Sequence, residues 1–74
     1  MADEIRAEMV GGVLEVATVA GARVSPGDTI ILLESMKMEI PVLTEVAGTV
    51  VSVAVKEGDV VQGGDLIAVI ERAE

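Results

Sequence analysis

The group in this sequence best placed to do chemistry is the amine of Lys37, set in the run Glu34-Ser35-Met36-Lys37-Met38-Glu39-Ile40. Lys37 is one of only two lysines and lies at the midpoint of a 74-residue chain. A lysine amine is a nucleophile once it loses its proton and its shell of water. Competing chemistries lack their residues. There is no His for neutral-pH acid–base work or metal ligation, and no Cys for a thiolate site or a disulfide. Apolar, β-type stretches stand on both sides, Thr29-Ile30-Ile31-Leu32-Leu33 before the lysine and Met38 to Leu43 after it. The amine therefore falls at a turn between two strands. Two-residue hairpin turns favour Asn-Gly, Asp-Gly or Gly-X, because one or both central residues need φ > 0. Met36-Lys37 offers none of these, so at least one of the two is expected at positive φ or otherwise strained. Broken turn chemistry points first to a functional site.

The neighbours have two readings. Met36 and Met38 could fill gaps in a core. They bracket a turn tip, however, where at least one must face solvent, and so are assigned a recognition role. Glu34 and Glu39 are explained equally well as solubilising charges or as part of the site. Lys56, between acids in Val55-Lys56-Glu57-Gly58-Asp59, reads as an ordinary surface lysine. An exposed amine is protonated at neutral pH. Lys37 is thus expected to be selected by shape and neighbours rather than by unusual reactivity.

The strands that must position this turn belong to a duplicated chain. Shifted by 37 residues, positions 11–34 fall on 48–71 without a gap and with ten identities. Gly11, Val13, Val16 and Ala17 lie over Gly48, Val50, Val53 and Ala54, and Gly27-Asp28 lies over Gly64-Asp65. A short unit that cannot bury its own apolar face must pack on its copy. Two copies imply a quasi-twofold fold. The first copy reads as strands at Ile5–Val10, Val13–Val19, Arg23-Val24 and Thr29–Ser35. The second reads as strands at Met38–Thr44, Thr49–Val55, Val60-Val61 and Leu66–Glu71, all punctuated by glycine turns. Ser25-Pro26-Gly27-Asp28 has the Pro-Gly centre of a type II turn. No segment carries a capped helical period. The expected fold is all-β, a flattened barrel or sandwich of short antiparallel strands. Its expected core is Val13/Val50, Val16/Val53, Val24/Val61, Ile30/Ile67 and Leu32/Val69.

Composition agrees and narrows function. Fourteen valines and six isoleucines supply an aliphatic core, with no Phe, Tyr or Trp. The missing aromatic rings rule out a base-stacking platform, and a net charge of −8 disfavours binding to phosphate backbones. The acidic surface suits solubility or a basic protein partner. Met1-Ala2-Asp3-Glu4 is no secretory leader, and no run approaches the roughly 20 apolar residues of a membrane helix. One cytoplasmic, free-standing domain spanning residues 1–74 is expected, without nucleic-acid or membrane partners.

Met36-Lys37-Met38, preceded by Glu34 and Ser35 and followed by Val46-Ala47-Gly48-Thr49-Val50, resembles the attachment site of biotinyl domains, the biotin carboxyl carrier proteins. The related lipoyl domains usually carry Asp-Lys-Ala there, and the family often has Ala where this chain has Ser35. The resemblance covers essentially the whole chain. It implies two four-stranded antiparallel sheets about a pseudo-twofold axis, without the projecting thumb some members insert. It implies that Lys37 carries covalent biotin, with Met36, Met38, Glu34 and Ser35 as the surrounding site. It further implies three partners: a biotin-protein ligase, a biotin carboxylase, and a carboxyltransferase that receives carboxybiotin and acts on an acyl-CoA or keto acid. The domain itself would catalyse nothing. A lipoyl carrier and an unmodified β interaction module are the alternatives.

Overall fold

The computed structural model describes residues 1–73 and contains strands only. They are β1 (Ala2–Arg6), β2 (Gly11–Val16), β3 (Arg23–Val24), β4 (Thr29–Ser35), β5 (Met38–Leu43), β6 (Gly48–Val53), β7 (Val60–Val61) and β8 (Leu66–Arg72). All pairings are antiparallel. They make two four-stranded sheets, ordered β1-β8-β6-β3 and β5-β4-β2-β7. Adding 37 to a residue number carries each of β1 to β4 onto its counterpart among β5 to β8, which lies in the other sheet. The 37-residue repeat is therefore the fold's twofold axis in numerical form. Among the described residues no helix is long and apolar enough to cross a membrane.

The turns obey the same rule, hydrogen bond for hydrogen bond. Gly27 and Gly64 both sit at φ 93°, and their amides donate to the carbonyls of Thr44 and Ala7. The Asp28 amide donates to the Ser25 carbonyl at 3.0 Å, closing the Pro26-Gly27 turn, and Asp65 does the same to Gln62. In each turn the aspartate Oδ2 also accepts from the backbone amide three residues earlier, at 2.8 and 2.9 Å. Only glycine adopts such a φ without a steric cost, which is why the repeat keeps Gly-Asp at both places.

Ile30, Ile31, Leu33, Ile67, Ala68 and Ile70 are at most 1% exposed and form the centre of the core, with Val13, Val24, Val50 and Val61 around them. Burying each large aliphatic side chain contributes about 1.5–3 kcal/mol. The expected pair Leu32/Val69 is instead half-buried and faces outward, whereas Ile31/Ala68 and Leu33/Ile70 point in. Strict alternation fails because the register slips at Ile30 of β4, between Thr29 and Ile31, and at Ile67 of β8, opposite the step from Ile5 to Arg6. Such bulges put two residues of one strand opposite one of its partner and reset the inward phase.

Several strand boundaries also differ from expectation. β1 occupies Ala2–Arg6 rather than Ile5–Val10, because Ala2 to Ile5 continue the ladder with Glu71 to Ala68. Ala7 then turns away, its amide on the Asp65 carbonyl and its own carbonyl accepting from Gly64. Gly11-Gly12 is not a bend but the start of β2, paired with Val61 and Val60. β2 and β6 end at Val16 and Val53, short of Val19 and Val55. The one buried polar side chain among those described, Thr44, donates its hydroxyl to the Val46 carbonyl at 2.9 Å and accepts from the Val46 amide.

Candidate functional site

β4 and β5 form a hairpin in which Ser35 pairs with Met38, leaving Met36 and Lys37 as a two-residue tip. Both have positive φ, 55° at Met36 and 65° at Lys37, and they are the only described non-glycine residues that do. Positive φ at both central positions is the signature of a type I′ turn, whose twist matches that of the flanking strands. A left-handed backbone at a non-glycine residue costs of order 1–2 kcal/mol. The hairpin holds it because Leu33 and Ile31 anchor β4 in the core, at 1% and 0% exposure. Relieving the strain should raise stability. Met36→Asn, which suits the first central position of this turn, is expected to gain about 1 kcal/mol. The gain should show as a higher urea midpoint at unchanged slope; a lower midpoint would contradict the strain.

The tip projects its side chains into solvent. Met36 is 91% exposed and Met38 63%, so neither is a core methionine. Lys37 is exposed, and among the described residues its amine has no hydrogen bond or ion pair. Ser35 is half-buried. Glu34 and Glu39 face each other directly across the two strands. Like charges in that relation oppose pairing by a few tenths to about 1 kcal/mol. The fold gains nothing from them there. An unencumbered amine on a strained, well-anchored tip is suited to receiving a group from another protein; among the described residues no base is hydrogen-bonded to it to activate it from within.

A cleft of ≈ 720 Å³ opens between the edge strands β1 and β5. Ile5, Leu33, Ile40 and Val42 line its floor, and Asp3 and Glu45 are among its acids. It straddles the pseudo-twofold axis, which makes it a seam between the sheets, and Lys37 is not part of its wall.

Residues 3–70 match the family described as biotin-requiring enzyme. The biotinylated protein TB7.3 homolog of Mycobacterium leprae is 60% identical to this chain over 70 residues, 95% of this chain and 99% of that protein. The chain belongs to the biotinyl/lipoyl attachment family. Among solved structures, urea carboxylase of Kluyveromyces lactis superposes on this biotinyl domain with a TM-score of 0.90 at 35% identity. That match covers 96% of this chain but only 6% of the urea carboxylase chain. The lipoyl domain of the 2-oxoglutarate dehydrogenase complex from Azotobacter vinelandii superposes with a TM-score of 0.81 at 25% identity, over 96% of this chain and 98% of that one. The two-sheet fold is thus common to domains named for different cofactors, and what distinguishes this biotinyl domain must lie on its surface. Sequence reasoning found the hairpin. It did not find the face beside it, on β2 and β7, described below.

Proposed function

We propose that the chain is a carboxyl carrier whose Lys37 amine holds biotin in amide linkage. Biotin as the cofactor follows from the biotin-requiring family and the biotinylated relative. Attachment at Lys37 is carried by one observation: this amine alone stands on a strained two-residue tip between β4, which is rooted in the core, and the edge strand β5 paired to it. Lys56 lies in a loop where its backbone amide is tied to Asp59, and no strand pair presents it. A biotin-protein ligase would use ATP to convert biotin's carboxylate to an acyl-adenylate with release of pyrophosphate, and the Lys37 nitrogen, relieved of its proton, would attack the carboxyl carbon and displace AMP. Met36 and Met38 give that ligase an apolar mark on either side of the amine. Bound biotin supplies a ureido nitrogen that takes up and hands on a carboxyl group. The chain's own contribution is position. The hairpin fixes the root of a flexible arm and keeps it in solvent, so that the arm's end is present at high effective concentration in two partner active sites. Those partners are a biotin carboxylase and a carboxyltransferase, as expected of a non-catalytic carrier within a carboxylase system. The fold likeness to a lipoyl domain makes lipoyl attachment the second reading, and the methionine pair weighs against it.

The carrier role is tested by incubating the biotinylated chain with a purified biotin carboxylase, ATP and labelled bicarbonate. Acid-labile label is expected on the biotinylated chain and not on the unmodified chain. Label on neither form, with an enzyme that carboxylates free biotin, would count against a carboxyl carrier.

A further inference from the structure

The two sheets are copies of one another, so each position on one outer face has a matched position on the other, and the differences between them are informative. In the sheet β1-β8-β6-β3, three arginines (Arg6, Arg23, Arg72) balance three acids (Asp3, Glu4, Glu71). The acids are paired: Glu4 with Arg6 at 2.7 Å, Asp3 with Arg72 at 3.2 Å, and Glu71 with the Met1 ammonium at 2.9 Å. The strands of the sheet β5-β4-β2-β7 also hold three acids, Glu15, Glu34 and Glu39, but no cation at all. Among the described residues none of these three has an ion-pair partner. The apolar content differs in the same direction. Val60, Gly12, Glu34 and Glu39 form one outward row across the hairpin sheet, adjoining the Lys37 tip. The matched row on the other sheet is Arg23, Thr49, Glu71 and Ala2. Val60 is 73% exposed where its mate is arginine, and Leu14 on the neighbouring strand β2 is 38% exposed. Leu32 and Pro41 continue the apolar surface, opposite Glu15.

Folding alone accounts for the acids of the first sheet, each of which has a cation. It does not account for an apolar strip edged by unpaired carboxylates, two of which oppose each other across a strand pair. We infer that the outer face of the hairpin sheet, reaching back over β2 and β7, is the surface on which the ligase that acylates Lys37 docks. The complementary surface has an apolar centre and a rim of lysine or arginine. Charge complementarity of this kind speeds encounter and fixes orientation. Here it would bring the ligase onto the sheet with Lys37 directed to its active site. The inference rests on Lys37 being the acyl acceptor.

The repeat supplies the test, because each face can be given the residues its mate already tolerates. In Val60→Arg with Glu15→Ser, the hairpin sheet receives the residue types of Arg23 and Ser52. In Arg23→Val with Ser52→Glu, the exchange is made on the other face. Neither pair changes a residue of the β4–β5 hairpin itself, and matched urea midpoints establish that both proteins fold. Steady-state biotinylation is then followed by intact mass with a purified biotin-protein ligase, ATP and biotin, varying the chain concentration. The first variant is expected to lose roughly tenfold or more in kcat/KM, chiefly through KM, and to show a weaker salt dependence than the parent. The second is expected to stay within about twofold. Equal effects on both variants, or none on the first while the parent is acylated at Lys37, would overturn the docking face and leave the carrier reading standing. A parent chain that is not acylated at Lys37 would overturn the carrier reading and this inference with it.

Discussion

Gly48→Ala is expected to cost the domain about 3 kcal/mol or more, whereas Gly11→Ala at the matched position should cost about 1 kcal/mol. The two glycines occupy the same place in the two copies, both buried, so their substitutions differ only in what a Cβ would meet. At Gly48 it would overlap the Glu71 carbonyl oxygen, and it would also lie 2.9 Å from the Glu71 carbonyl carbon and 3.0 Å from the Arg72 Cα. All three are backbone atoms of β8, a central strand of its sheet. The new methyl cannot be accommodated by turning a side chain. β6 and β8 must separate where Gly48 pairs with Arg72 and Thr49 with Glu71. At Gly11 the Cβ would approach a single atom closely, the Glu34 carbonyl oxygen at 2.9 Å, with its next neighbours at 3.6 Å. That atom is backbone too, so β2 and β4 must also move apart there, but one close approach asks for less separation than the three at Gly48. Domains are typically stable by only about 5–15 kcal/mol, and one of this size has a small core, so the Gly48 loss should appear as a much lower urea midpoint. Equal midpoints for the two variants would mean that close strand approach is not why glycine stands at 48.

The repeat made most of this architecture legible. One gapless shift located β2, β3 and β4 and their mates, and the glycine turns followed from it. The hairpin tip was legible for the opposite reason, a local sequence at odds with its own turn. Three things were hidden. The inward phase of β4 and β8 could not be read, because bulges at Ile30 and Ile67 reset an alternation that sequence counts residue by residue. The start of β1 was misplaced because Met9 and Val10 look more strand-like than Asp3 and Glu4. The charged pair is in fact carried on a sheet edge, with Arg72 and Arg6 as partners. The acidic face of the hairpin sheet was missed because the copies were compared for identities. The signal lay in their differences: Val60 against Arg23, Leu43 against Arg6, Glu15 against Ser52, Glu39 against Ala2. Those substitutions are visible in the sequence, but only the strand register shows that they share one face.

Lys37→Arg is expected to abolish modification completely while leaving the fold intact. Arginine is similar in length and keeps the positive charge, and at an exposed tip it disturbs no buried contact. Surface changes of this kind alter stability by about 0.5 kcal/mol or less. The guanidinium stays protonated at any working pH and cannot serve as the acyl acceptor. Lys56 is the control, being the one other side-chain amine in the chain. Were exposure alone enough, Lys56 would take up the cofactor when Lys37 is gone. If the strained hairpin tip is what is recognised, it will not.

The most direct test is the intact mass, with peptide mapping, of the parent chain and of Lys37→Arg, each produced alongside an active biotin-protein ligase with biotin supplied. The parent should gain the mass of one biotin less one water, located on the peptide containing Met36-Lys37-Met38, and the variant should gain nothing. A parent that carries a lipoyl group or no group, or a variant still biotinylated at Lys56, would contradict the account.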